Sequence, residues 1–335
     1  MSPRRATLGL IACALLACGG EDRAQPKDAV HELRLPGVLQ ESPEAGLFSG
    51  GLITHHQLLR RIEELVEDEH AKGVLVHVPM LGGSHSRVAD LRAALATVRE
   101  AGKPVHCYFE MTDNLGYALM AGACDRISMT PSGLLNLVGM AAEAVYAREL
   151  LETVGLRAEL LQVGKFKGAA DPLTRDSMPD EVRENLDGML DDLHGALVAA
   201  IATGRKLTPA QVQDLIDGGP YTAHDAHMAG LIDDVGFDDE AREHARVASD
   251  VKAVVRVALK PERKEVSLLE LLEALSGERP PDEVSGERLV LANLEGTIMS
   301  GSESSVQSAH AVPFVEAMRG FADDEEVKAV VLRID

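Results

Sequence analysis

The sequence predicts an α/β fold on a mostly parallel sheet, and three observations carry that expectation. Short apolar runs alternate with amphipathic helical stretches from about residue 33 onward. Hydrophobic residues make up 45% of the chain, with no Trp, four Tyr and six Phe, so the core is aliphatic and suits helices laid on a sheet. The strand–helix–strand order repeats with short connections, which favours right-handed crossover units.

Taken in order, Leu33–Leu39 reads as a strand. Gln57–Ala71 is helical, with Leu58, Leu59, Ile62, Leu65 and Val66 on one stripe. Gly73–Val78 is an apolar strand ending at Pro79-Met80-Leu81-Gly82-Gly83-Ser84. Ser86–Ala101 is a helix closed by Gly102, and Val105–Phe109 is the next strand. Leu115–Ala123 reads as a short helix, Arg126–Met129 as a strand, Val145–Val154 as a helix and Ala158–Val163 as a strand. The loop Gly164–Pro179 leads into a long amphipathic helix, Asp180–Thr203. Thr208-Pro209-Ala210-Gln211 opens another, with a capping Thr, Pro in the first turn and Gln closing the box.

The two ends of the chain carry different signals. Arg4-Arg5, the apolar run Leu8–Ala17 and Leu15-Leu16-Ala17-Cys18 describe an export signal. That run has about half the ~20 residues that a bilayer requires. Residues 1–18 are expected to be a lipoprotein signal with Cys18 lipidated, and 19–30 a flexible linker. Residues 31–260 then form a first domain, 261–286 a connector with one short helix at Ser267–Leu275, and 287–335 a second copy. Leu35–Leu39 has its counterpart in Leu294–Ile298, and Glu67–Val76 in Asp323–Leu332, at offsets of 294 − 35 = 259 and 323 − 67 = 256. Such offsets far exceed solenoid periods, so domain duplication is the reading. The second copy is expected to be truncated, since it stops at Asp335 on its second strand.

The net charge of −21 argues against a nucleic-acid partner. Cys107 and Cys124 could form a disulfide or supply a thiol nucleophile, but their apolar setting favours plain buried thiols. The twelve histidines give no metal-site spacing, and no metal or cofactor is expected. Gly82-Gly83, between a strand and a helix, could aim N–H groups as an oxyanion hole does, or could be an ordinary tight turn. Ser84 beside them reads as a helix cap rather than a nucleophile. Lys165 and Lys167 lie among small residues in Gly164–Pro172, where a desolvated lysine could act as a base. Most lysines are simply solvated.

These stretches together resemble the long, duplicated form of the signal peptide peptidase A family, whose halves share the Clp protease/crotonase-like fold. The resemblance runs from about residue 33 to the end. It includes Gly102-Lys103-Pro104-Val105, Val163-Gly164 with Phe166-Lys167, Arg175-Asp176-Ser177-Met178, and Ala223–Gly236. It implies a serine peptidase with a Ser–Lys dyad in which Lys167 is the general base, its amine kept neutral by burial. The matching nucleophile position in this half is Asn114, within Asp113-Asn114-Leu115-Gly116-Tyr117, so this half alone is expected to be inactive. The nucleophile is expected roughly 35 residues past Asp335 by the repeat offset. Met80-Leu81-Gly82-Gly83 corresponds to a degenerate oxyanion motif. The family further implies peptide substrates such as leftover signal peptides, a homo-oligomer, and a lipid anchor in the cell envelope facing the periplasm. The alternative is a non-catalytic peptide-binding or oligomer-forming module, favoured by Asn114. A coenzyme A hydratase of the same fold fits poorly with an export signal, because coenzyme A is cytoplasmic.

Overall fold

The computed structural model describes residues 28–41, 53–82, 84–161, 163–259, 286–294, 296–299 and 308–334. The signal with Cys18, Gly83 and the Ser267–Leu275 helix lie outside the described residues.

Four parallel strands form the centre: β1 (Ala29–Arg34), β2 (Ala71–His77), β3 (Val105–Asp113) and β4 (Arg126–Asn136). Their crossovers are α1 (His55–Glu67), α2 (His85–Glu100) and α3 (Asn114–Ala123). The chain then runs through α4 (Arg148–Thr153), α5 (Asp171–Thr174), α6 (Asp180–Arg205), α7 (Pro209–Asp217), β5 (Tyr221–Thr222), α8 (Ala223–Met228), β6 (Asp234–Val235), α9 (Asp238–Ala248) and β7 (Val254–Arg256). The sheet order is β5-β4-β3-β2-β1-β7, with β6 also on β4, and β5 is its antiparallel member. The expected α/β class is therefore what the chain adopts.

Strand alternation sends side chains to two cores. Leu33, Val74, Val76, Cys107 and Ile127 face α1–α3 in the larger one. Val30, Leu75 and Tyr108 face α9 in the smaller one. The C-terminal turns of α6 complete the larger core, with Leu197 and Ile201 buried. Gly204 allows that approach, since a Cβ there would lie 1.6 Å from the Ala121 carbonyl oxygen.

Several motifs have local physical reasons. Gly102 takes φ +80, open to glycine at no steric penalty, and turns the chain out of α2. Lys103 then donates to the carbonyls of Leu65 (2.6 Å), Val66 (2.8 Å) and Asp68 (2.8 Å), a cation at the negative end of α1. Ser84 caps α2, and the Thr208–Gln211 box caps α7, as the sequence indicates.

Three local expectations change. The first strand lies earlier than Leu33–Leu39, because Pro36-Gly37 interrupts the pairing that would extend it. The described residues of Ala158–Val163 form no strand, since no neighbouring strand pairs with them. Cys107 and Cys124 are not free thiols: they form a disulfide, with Cα atoms 5.9 Å apart. The β3–α3–β4 unit folds the end of α3 back beside β3, bringing 17 residues of separation within bridging range.

A second unit repeats the opening pattern. β8 (Arg288–Leu294) pairs in parallel with β11 (Val327–Ile334), and α10 (Ala311–Asp323) lies between them in sequence. A small parallel pair, β9 (Thr297–Met299) and β10 (Ser308–His310), precedes α10. Leu33 faces Val76 in the first unit and Leu291 faces Val331 in the second. The pairing distances, 76 − 33 against 331 − 291, differ by the same three residues that separate the two sequence offsets. No helix among the described residues is long and apolar enough to cross a membrane.

Candidate active site

Parallel pairing places the β2–α2 and β3–α3 turns on the same edge of the sheet, the edge where α/β proteins bind ligands. Asn114 is the first residue of α3. Its Nδ2 donates to the Val138 carbonyl at 2.9 Å, and its Oδ1 accepts the Val138 N–H at 3.0 Å. Both ends of the amide are thereby committed to backbone. Asp113 caps the same helix by accepting the Gly116 N–H at 3.1 Å. Gly116 is required there, because a Cβ would lie 2.0 Å from the Thr112 hydroxyl. Beneath the turn, the buried Tyr117 hydroxyl donates to the Leu231 carbonyl at 2.6 Å, and burial pushes its pKa upward.

A cavity of about 70 Å³ opens beside Asn114, lined by His85, Val88, Arg92, Leu115, Met140 and Leu197 among others. Lys167 does not line it.

Gly82 does not act as a free oxyanion donor. Its N–H donates to the Gly37 carbonyl at 2.7 Å, and its own carbonyl accepts the Leu39 N–H at 3.2 Å. The turn is thus knitted to the segment following β1, and that N–H is unavailable to a developing oxyanion.

Lys167 stands apart from this edge. It is exposed, in a turn where its N–H reaches the Gly164 carbonyl at 3.2 Å and Gly164 takes φ +100. Lys165 lies over the Phe166 ring at 4.6 Å. The stretch is tied to α4 through the Ala147 N–H on the Pro172 carbonyl (2.7 Å) and through Arg148 on Asp176. Around it, Val145, Leu150, Leu161, Val163 and Phe166 are all exposed. The burial expected for a neutral base is not supplied by the described residues. Among the described residues, no hydrogen bond or shared cavity joins Lys167 to Asn114 or Gly82.

Sequence reading missed a cluster drawn from three elements. Glu32, His77 and Asp238 bring one nitrogen and two oxygens within 4.8 Å of one another, a set that could hold a metal ion. Glu32 is already committed, however: Arg34 donates to Oε1 at 2.6 Å, and Arg242 reaches both oxygens at 3.1 Å. Arg242 also lies 2.9 Å from Asp238. A divalent cation would meet these guanidiniums at close range, so the donors fit an ion-pair cluster better than a metal centre. Burial, then Arg34, pushes His77 down to about 4. Desolvation alone would raise Glu32, but the hydrogen bonds from Arg242 and Arg34 outweigh it and hold its carboxyl low. Both groups bind protons less readily when folded, so the cluster loses stability as pH falls from 6.5 towards 4.

The model of peptidase family S49 matches residues 97–252, which include the Asn114 turn and the Lys167 loop. That stretch is similar to peptidase family S49, and relatives named as signal peptide peptidase A are similar over a longer span. The chain is 24% identical over 311 residues to "Serine protease SPPA, chloroplastic" of Arabidopsis thaliana, covering 92% of this chain and 45% of that one. It is 25% identical over 221 residues to "Putative signal peptide peptidase SppA" of Enterococcus faecium, covering 66% of this chain and 63% of the other. It is 25% identical to "Protease 4" of Haemophilus influenzae, over 82% and 45% of the two chains. The chain thus spans about half the length of the curated relatives it matches. Among solved structures, an enoyl-CoA hydratase from Shewanella pealeana aligns with 58% of this chain and 63% of its own, at 10% identity and a TM-score of 0.33. A likeness that low adds nothing to the sheet order described above.

Asn114→Ser tests whether this turn is structural. The variant should lose about 1–2 kcal/mol of stability in urea unfolding, as two backbone groups of Val138 lose partners. Unchanged stability would show that the clamp contributes nothing.

Proposed function

We propose that this chain is the base-bearing part of a serine peptidase that cleaves apolar, membrane-proximal peptides such as leftover signal peptides. One observation carries the reading: at the position matching the family's nucleophile, Asn114 is bound at both ends to Val138. An amide held this way cannot perform acyl transfer, so this position offers no nucleophile. The names of the relatives support the reaction class.

In this scheme the serine comes from outside residues 29–259. Neutral Lys167 takes the proton from its Oγ, and Oγ attacks the scissile carbonyl carbon. The C–N bond then breaks as the lysine delivers the proton to the leaving nitrogen. Water, activated by the same amine, hydrolyses the acyl-enzyme. Lys167 needs burial to be neutral, and the exposed apolar residues beside it are the surface that further chain or a second copy would cover. The competing reading, a non-catalytic peptide-binding or oligomer-forming module, draws on the same Asn114 clamp.

In the full-length gene product, Lys167→Ala should lower kcat for apolar peptides by about 10²–10⁴-fold, while Lys165→Ala leaves it within a few-fold. Equal activity in both variants would remove Lys167 from the mechanism.

Placement in the cell envelope through lipidated Cys18 is part of the proposal. The Cys107–Cys124 disulfide supports it, because disulfides persist in oxidising compartments. Intact-mass analysis of protein extracted from membranes should find a diacylated Cys18 as first residue and Cys107–Cys124 oxidised. An unmodified amino terminus at another residue would refute the anchor.

A further inference from the structure

We infer that Glu41, Arg87 and Asp90 form a guanidinium socket for Arg333, and that this charge cluster holds the second unit on the first. The inference does not rest on the peptidase reading. No described strand pairs across the two units: β8 bonds to β11, and neither joins the seven-stranded sheet. Apolar burial does little to join them either, since Leu289 is 72% exposed and Ile334 69% exposed.

The charged contact is of a different quality. The Glu41 side chain is 2% exposed and that of Arg87 7% exposed, a degree of burial that ionised groups tolerate only when paired. Arg87 Nε donates to Glu41 Oε1 at 3.1 Å, and Arg87 also reaches the Leu39 carbonyl. Arg333 lies near the carboxyl end of β11. Its Nη2 lies 3.0 Å from the same Glu41 oxygen and 2.9 Å from Asp90 Oδ2. Asp90 also faces His55 Nε2 at 3.4 Å, and His55 is biased towards its neutral form chiefly by burial. Glu41 thus meets both Arg87 and Arg333, and Arg333 also meets Asp90.

The repeat gives the position meaning. By the second offset Arg333 corresponds to His77, since 333 − 77 = 256. His77, at the end of β2, faces Glu32 and Asp238 of its own unit. Its counterpart is an arginine, whose longer side chain reaches carboxylates of the other unit. Of the socket residues, Glu41 follows β1, and Arg87 and Asp90 belong to α2. The contact therefore sets the end of β11 against the edge of the first unit that carries the Gly82 turn.

Hydrogen exchange read by mass spectrometry on the full chain tests this. Arg333→Met keeps the aliphatic stem and removes the charge. It should speed exchange of residues 288–334 by at least about tenfold and leave 29–259 unchanged, with Arg333→Lys partly restoring protection. Exchange of 288–334 in the unaltered protein should rise with NaCl, and that salt response should vanish in Arg333→Met. A methionine variant with parental exchange and parental salt response would overturn the inference. Should that variant fail to fold, salt-independent exchange in the unaltered protein would overturn it equally.

Discussion

Parallel pairing of β1 through β4 is the constraint on which the rest of the molecule depends. A parallel ladder sends every strand-to-helix turn to one edge and every return to the other. The Gly82 and Asn114 turns therefore share an edge, with the amino ends of α2 and α3 beside them. An acyl-transfer enzyme can place a nucleophile and backbone donors on such an edge. Here the Gly82 N–H is taken by the Gly37 carbonyl and the Asn114 amide by Val138.

The same sheet explains why charge accumulates where it does. Strand ends at the carboxyl edge carry Glu32, Arg34 and His77 towards the first residue of α9, and Arg242 closes the set one turn later. On the opposite face of the sheet, Glu41, Arg87 and Asp90 meet Arg333. One ionic cluster thus ties β1 and β2 to α9, and the other meets the second unit. The Lys167 stretch is tied to α4 by Arg148 on Asp176, and its exposed apolar residues set it apart from the packed sheet.

Much of the scaffold was legible in the sequence. A helical stripe located α1, Gly102 marked the close of α2, and the caps at Ser84 and Thr208 were readable because capping is local chemistry. The pair of repeat offsets reappears in the register of β8 with β11. What escaped reading depends on distance along the chain. Glu32 and Asp238 lie far apart in sequence, and only the packing of α9 on β1 and β2 unites them with His77. The Cys107–Cys124 bond required knowing how α3 folds back on β3. Ala158–Val163 has the apolar character of a strand, but strand formation needs a partner that composition cannot reveal. At the candidate site, resemblance alone singled out Lys167 and Asn114. Neither the double clamp on Asn114 nor the exposure of Lys167 could be read from residue types.

The central claim is that the first unit contributes a base and no nucleophile, and covalent labelling addresses it most directly. A serine-directed phosphonate probe, applied to the full-length gene product and mapped by peptide mass spectrometry, should modify a serine outside residues 29–259. Labelling should be lost in Lys167→Ala. A labelled serine within 29–259, or labelling indifferent to Lys167, would contradict the account.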